Sequence, residues 1–196
     1  LQNYAPVFLP RLLDIVETLE CSDNKFQSCI QCVGLWASFS NNNLVTTIAK
    51  KLLQQLLVST GGSNDDDLNS KAAGWMSVML VLVPCLPNQI VTLLFKTIRP
   101  LLVIGESISL QKRAYQVLES LIVSHCDLLF QCESSMSLLA AISDSILTCN
   151  VSARHMRLRC ILSLISALND THELTTAAQS IIREVLICQK DSNKKS

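Results

Sequence analysis

Apolar residues return every three or four positions along nearly the whole chain. In LVTTIAKKLLQQLLV (44–58), Leu44, Ile48, Leu52 and Leu56 step by four, with Val45, Leu53 and Leu57 beside them. Lys50, Lys51, Gln54 and Gln55 take the opposite side. This is the stripe of a helix with one buried face. No extended period-two alternation is bounded by Asn-Gly or Asp-Gly turns, so strands are not expected. The pattern predicts helices over 5–19, 25–39, 42–58, 70–83, 88–103, 108–124, 135–149, 153–168 and 172–188. SNNN at 40–43 turns the chain and caps the next helix. Pro84 and Pro87 end one helix and frame another, because proline lacks a backbone N–H and restricts the residue before it. STGGSNDDDLNS at 59–70 has no apolar face and reads as a long solvated loop, with Asp67 or Asn69 capping the helix after it.

The helices repeat as units. Small residues recur at Cys29, Ala73, Ala114 and Cys160, separated by 44, 41 and 46 residues. Each opens an apolar stripe that is followed by a break and a second apolar helix. HEAT and armadillo units have this period, about 40–47 residues. The expected fold is therefore all-α, a HEAT/armadillo-type solenoid of antiparallel helix pairs. Residues 1–196 would form one segment of a longer solenoid, about four repeats behind a leading half-unit at Tyr4–Leu19. A closed helical bundle is the competing architecture.

Composition narrows the function. Sixteen cations balance sixteen acids, which removes the argument from a strongly basic domain but leaves room for a local basic strip. The longest apolar run, AAGWMSVMLVLVPCL at 72–86, is cut short by Pro84 and Pro87, so a buried helix is expected there and not a membrane span. Of nine cysteines, Cys29, Cys32, Cys160 and Cys188 sit inside apolar helical patterns, where a free thiol behaves as a small hydrophobe; with an odd cysteine count, a reducing compartment is expected.

Motifs for catalysis are missing. No glycine-rich phosphate loop, His-Glu-x-x-His or Gly-x-Ser-x-Gly occurs. Cys29-Ile30-Gln31-Cys32 lacks the second ligand pair that zinc requires. The contiguous acids Asp65, Asp66 and Asp67 lack the alternating spacing of a calcium loop. His125 and Cys126 point about 100° apart on a helix, so they do not address one site. The chain is expected to be no enzyme and to need no cofactor, metal or small-molecule substrate.

Cations carry the remaining signal. Lys112 and Arg113 form one pair; Arg154, Arg157 and Arg159 form a cluster with no acid between Asp144 and Asp170; Lys190, Lys194 and Lys195 form a third group. On the helical wheel Leu158, Ile161, Leu162 and Ile165 make the apolar side, with Arg157 and Arg159 flanking it. Stacking would bring Arg113 and Arg159 to matching places one repeat apart. Such a strip suits phosphate or an acidic partner, whereas the plain alternative is a solvated edge.

LQKRAYQVLESL (110–121), ARHMRLRCILSLI (153–165) and IIREVLICQKD (181–191) resemble the conserved domain of the ribosomal RNA-processing protein twelve family. The resembling words are Gln111–Leu118, Arg157–Ile161 and Glu184–Asp191, in the family's order and spacing, and they cover roughly residues 106–191. Members often carry proline before the Glu-Val pair, where Arg183 stands here. The resemblance implies a HEAT-type scaffold without catalytic activity. It implies work in the nucleolus and nucleus, in pre-rRNA processing and export of pre-ribosomal subunits. The implied partners are pre-ribosomal proteins, pre-rRNA and the Ran transport system; the interrupted apolar run at 72–86 separately gives no membrane partner as the expectation. A protein-only HEAT scaffold, such as a transport receptor or phosphatase scaffold, is the alternative.

Overall fold

A computed structural model describes residues 1–21, 23–60, 66–102, 107–145 and 148–168, with single positions at 173, 175, 178, 179 and 182. The expected helix 172–188 therefore falls almost wholly outside the described residues. Within them the protein is all-α, with eight α-helices and no strand: α1 (Ala5–Thr18), α2 (Asn24–Ser38), α3 (Asn42–Thr60), α4 (Asp66–Leu82), α5 (Asn88–Ile98), α6 (Ile108–Cys132), α7 (Ser135–Asp144) and α8 (Val151–Ala167).

Local chemistry sets the starts. The Asp23 carboxylate accepts the Lys25 N–H at 2.8 Å and opens α2. The Asn41 side chain accepts the Leu44 N–H at 2.8 Å and opens α3, the capping role expected of SNNN. A short 3₁₀ turn over Val83–Cys85 contains Pro84, and Pro87 stands just before α5. The expected loop at 59–70 is shorter than its composition implied. α3 runs to Thr60 and α4 opens at Asp66, which puts both Asp67 and Asn69 inside the first turn and neither at the cap. α6 breaks where its end was expected: His125 lies outside helical geometry (φ −144°, ψ 36°), and a second helical stretch, which the pattern did not predict, runs on to Cys132. The His125 Nε2–H donates to the Val83 carbonyl at 2.8 Å, and buried Leu129 holds the last turns to the core.

Packing sorts the helices into an order. α1 packs on α2, α3 on α4, α5 on α6, and α7 on α8; α2, α4, α6 and α8 then pack on one another in succession. Their register is parallel. A side chain on Gly34 would meet Val81, and one on Gly74 would meet Phe26. Ser70 near the start of α4 and Ser109 at the start of α6 line one cleft, while His125, far along α6, reaches Val83 just past the end of α4. Gln111 bonds Asn150 just before α8, and further along both helices the Cys160 thiol donates to the Tyr115 carbonyl at 3.0 Å. Alternate helices of the chain thus lie side by side and point the same way. This arrangement is compatible with a solenoid. The leading helix, expected as a half-unit, joins α2 in an antiparallel pair, with Phe8 stacked on Trp36 at 5.1 Å between ring centroids.

Small residues mark where the layer is tightest. Ala114 and Cys160 are fully buried and Ala73 nearly so, while Cys29 is only half-buried. A Cβ on Gly34 would stand 3.2 Å from Val81 Cβ, and one on Gly74 would stand 2.8 Å from Cys21 Sγ. One core runs from Leu9 to Leu168 through all eight helices. The stripe expected on α3 is buried at Val45, Ile48, Leu52, Leu53 and Leu56, but Leu57 is exposed. Leu68–Cys85 is long and apolar enough to cross a membrane, and half of it is buried. In this structure α4 lies against α2, α3 and α6, which is where its apolar surface goes.

An ion pair secures the joint between α5, α6 and α7. Arg99 Nε and Nη2 donate to the two Glu133 oxygens at 2.9 and 3.0 Å, and Ser137 Oγ donates to Glu133 at 2.8 Å. The hydrogen bonds from Arg99 hold the Glu133 carboxyl below its ordinary range, against an opposing effect of burial. A depressed carboxylate contributes stability that is full above its unfolded pKa and is lost as pH falls through the folded one. Glu133→Gln is therefore expected to cost about 1–2 kcal/mol near neutral pH, between an exposed and a buried pair. It should also flatten the acid limb of the stability profile, measured by urea unfolding between pH 7 and pH 3. An unchanged acid limb in the variant would show that the pair does not set it.

Candidate functional site: a cationic cleft at the start of the parallel layer

The motif LQKRAYQVL occupies the first turns of α6 and has two faces. Gln111, Ala114 and Tyr115 are fully buried. The Gln111 amide donates to the Leu102 carbonyl at 3.1 Å, and its oxygen accepts the Asn150 backbone N–H at 2.8 Å and the Asn150 side-chain amide at 3.1 Å. Tyr115 donates to the Leu102 carbonyl at 3.0 Å or shares its proton with Ser145 Oγ at 2.7 Å. Burial pushes the Tyr115 phenol well above its ordinary range, with the Ser145 hydrogen bond and the nearby Arg157 charge acting the other way. These two side chains fix the chain before α6 and the start of α8 relative to α6. The glutamine and tyrosine of the motif are thus architectural.

Lys112 and Arg113 belong to the other face. Lys112 is exposed and Arg113 half-buried, with Arg113 Nη1 donating to Gln116 at 2.8 Å. Both line an open cleft of about 590 Å³ between the N-terminal half of α4 and the starts of α6 and α8. Ser70 and Ser77 come from α4, Ser107 and Ser109 from the start of α6, and Ser152 from α8; no carboxylate lines the cleft among the described residues. Neither Ser107 nor Asn150, the residues before α6 and α8, caps its helix with its side chain. The first-turn N–H groups of both helices thus lack side-chain acceptors from their own caps. Cys21 separates this cleft from a second one of about 560 Å³, where Glu17 and Glu20 stand instead.

The other expected cations have other fates. Arg159 is exposed but engaged, with its Nη2 at 2.7 Å and Nε at 2.8 Å from Glu119 Oε1. Arg154 is half-buried. Arg157 does not flank the helix on the surface; it is 2% exposed. The expected apolar side of α8 is rotated to match. Ala153, Arg157, Cys160, Ile161 and Leu164 face inward, while Leu158 and Leu162 are exposed. The reason is the seat of Cys160 against Tyr115, which turns the arginine one helical turn earlier into the protein. Its charge reaches Tyr115 and Cys160, and burial pushes the Cys160 thiol far above its ordinary range. Lys190, Lys194 and Lys195 lie outside the described residues.

Sequence reasoning found Lys112 and Arg113 but missed the serines. Ser107-Ile108-Ser109 and Asn150-Val151-Ser152 were the available signal, hydroxyl-bearing starts on two equivalent helices. Elsewhere the chemistry is sparse. Among the described residues no group of three His, Cys, Asp or Glu side chains could hold a metal ion. Cys29 packs against the core and Cys32 is exposed.

Comparison with known proteins adds one finding. The chain is similar to a human protein described as "RRP12-like protein", with 31% identity over 119 residues. Those residues cover 59% of this chain and 9% of the human protein, so the chain spans a small part of that relative's length. No family model matches the chain.

Proposed function

We propose that the chain is part of a non-catalytic helical scaffold of ribosome biogenesis, built as a HEAT-type solenoid and working in the nucleolus and nucleus. The similarity to the human RRP12-like protein carries this reading. The parallel layer of α2, α4, α6 and α8 supports it, because such a layer presents one continuous edge to a partner. Pre-ribosomal proteins and pre-rRNA are the proposed partners, with the Ran transport system acting during export of pre-ribosomal subunits. The scaffold's contribution is position: it holds components in place, and no bond-making step is assigned to its residues.

A second reading concerns what this segment touches. Phosphate contacts along RNA need a row of available cations. Here Arg157 is buried and Arg159 is held by Glu119. That interruption favours protein contacts for the described part of the chain, with RNA held elsewhere in the assembly.

Affinity purification of the tagged protein from nuclear extract, with and without nuclease, tests both. Pre-ribosomal proteins that co-purify and persist after nuclease are the expected result. If they are released by nuclease, the segment's protein-facing reading fails and RNA contact replaces it. If no pre-ribosomal component is recovered in either arm, the assignment to ribosome biogenesis is wrong.

A further inference from the structure

Two corresponding arginines of the parallel layer end differently. Arg159 precedes Cys160 on α8, as Arg113 precedes Ala114 on α6, and each lies toward the preceding helix of the layer. Arg159 finds the Glu119 carboxylate on α6. Glu119 stands five residues after Ala114, and the same step from Ala73 on α4 gives Val78, which is fully buried and uncharged. The acid that satisfies one arginine has no counterpart for the other. In its place the structure opens the cleft of about 590 Å³.

We propose that this cleft seats the phosphate of a phosphorylated serine or threonine on a protein partner. Lys112 and Arg113 supply two positive charges, and Arg113 keeps donors beyond the one spent on Gln116. The first turns of α6, unbroken from Ile108 to Ser124, and of α8, 17 residues long, bring backbone N–H groups without side-chain caps and the positive ends of two helix dipoles. Ser109 and Ser152 are exposed at these same turns and can complete the shell of donors. A phosphate monoester is a near-dianion with three acceptor oxygens, so it matches two cations and several convergent donors. An RNA backbone fits less well. It brings a row of singly charged phosphates, and the next cations along the layer are buried or paired. The inference rests on the cleft and not on the ribosomal assignment, so either can fail alone.

Fluorescence anisotropy tests it, using the protein with a labelled mixed-sequence phosphoserine peptide pool and the same pool unphosphorylated. Inorganic phosphate, O-phosphoserine and a 20-nucleotide single-stranded RNA serve as competitors. The expected result is phosphate-dependent binding that O-phosphoserine competes and the RNA does not. Lys112→Ala with Arg113→Ala should weaken binding at least ten-fold, while Arg159→Ala leaves it unchanged. Ser109→Asp guards against a folding artefact. It sets a carboxylate on an exposed position one turn before both cations, where the helix start favours negative charge. It should abolish binding with the melting temperature unchanged or raised. Equal binding of the two peptide pools, or full binding by Ser109→Asp, overturns the proposal. So does RNA that displaces the peptide and loses affinity with the same variants, which would make the cleft an RNA contact. Binding of inorganic phosphate without the peptides would assign the cleft to free phosphate and overturn the protein partner.

Discussion

Tyr115→Ala is expected to be the most damaging single truncation in the first turns of α6, lowering unfolding free energy by about 3–5 kcal/mol, the range for removing a fully buried aromatic. Tyr115 is fully buried against α8 and the chain before α6, and its hydroxyl serves the Leu102 carbonyl and Ser145. Truncation leaves both a cavity and a buried hydroxyl with one partner fewer. Tyr115→Phe separates the two losses, since it keeps the ring and removes only the hydrogen bonds. It should cost about 1–3 kcal/mol. Urea unfolding of both variants checks the split. If Phe costs as much as Ala, the ring contributes nothing and the packing account fails. The thermal midpoint of the alanine variant should drop by about 6–20 °C for a chain of this size.

Gln111→Leu is the second large effect, and it tests polarity at nearly constant volume. The glutamine is fully buried and joins four groups distant in sequence: the Leu102 carbonyl, the Thr148 carbonyl at a long 3.5 Å, the Asn150 backbone N–H and the Asn150 side chain. Leucine fills the space but takes part in none of these bonds. The Asn150 N–H would be cut off from its acceptor at the start of α8, and the expected cost is about 2–4 kcal/mol at about 1–3 kcal/mol per orphaned group. Hydrogen exchange localises it. The first amides of α8 should exchange faster, while α2 and α3 keep their protection. Uniform acceleration across all helices would mean that Gln111 does not specifically anchor α8. Because Gln111 and Tyr115 share the Leu102 carbonyl, the double variant should cost less than the sum of the singles.

These two residues show where a motif can mislead. LQKRAYQVL drew the eye to its cations, and Lys112 and Arg113 do line a cleft. Yet the residues on either side, Gln111 and Tyr115, are what the rest of the fold is fastened to. Nothing local distinguishes a glutamine in a core network from one on the surface. Its partners lie 9, 37 and 39 residues away, and only folding brings them together.

α8 makes the same point about faces. VSARHMRLRCILSLISA carries apolar residues on several sides, so more than one stripe can be drawn through it. The wheel chose Leu158, Ile161, Leu162 and Ile165. The protein chose Ala153, Arg157, Cys160, Ile161 and Leu164. Cys160 is small enough to reach the Tyr115 carbonyl, and that contact rotates the helix. α3 had a single unambiguous stripe, and there the reading and the structure agree at every position but Leu44, which is half-buried, and Leu57.

By itself the sequence determined that this protein is helical, where most of its helices start and stop, and which small residues recur at a period of about 40–47 residues. Those properties are local: they come from apolar spacing, caps and prolines acting within a few residues. Tertiary structure decided which face of α8 turns inward, which cations keep their charge available, and where two helix starts converge beside α4 into one cleft. Each of those depends on a partner at least one helix away, and a side chain's surroundings are fixed only when that partner arrives.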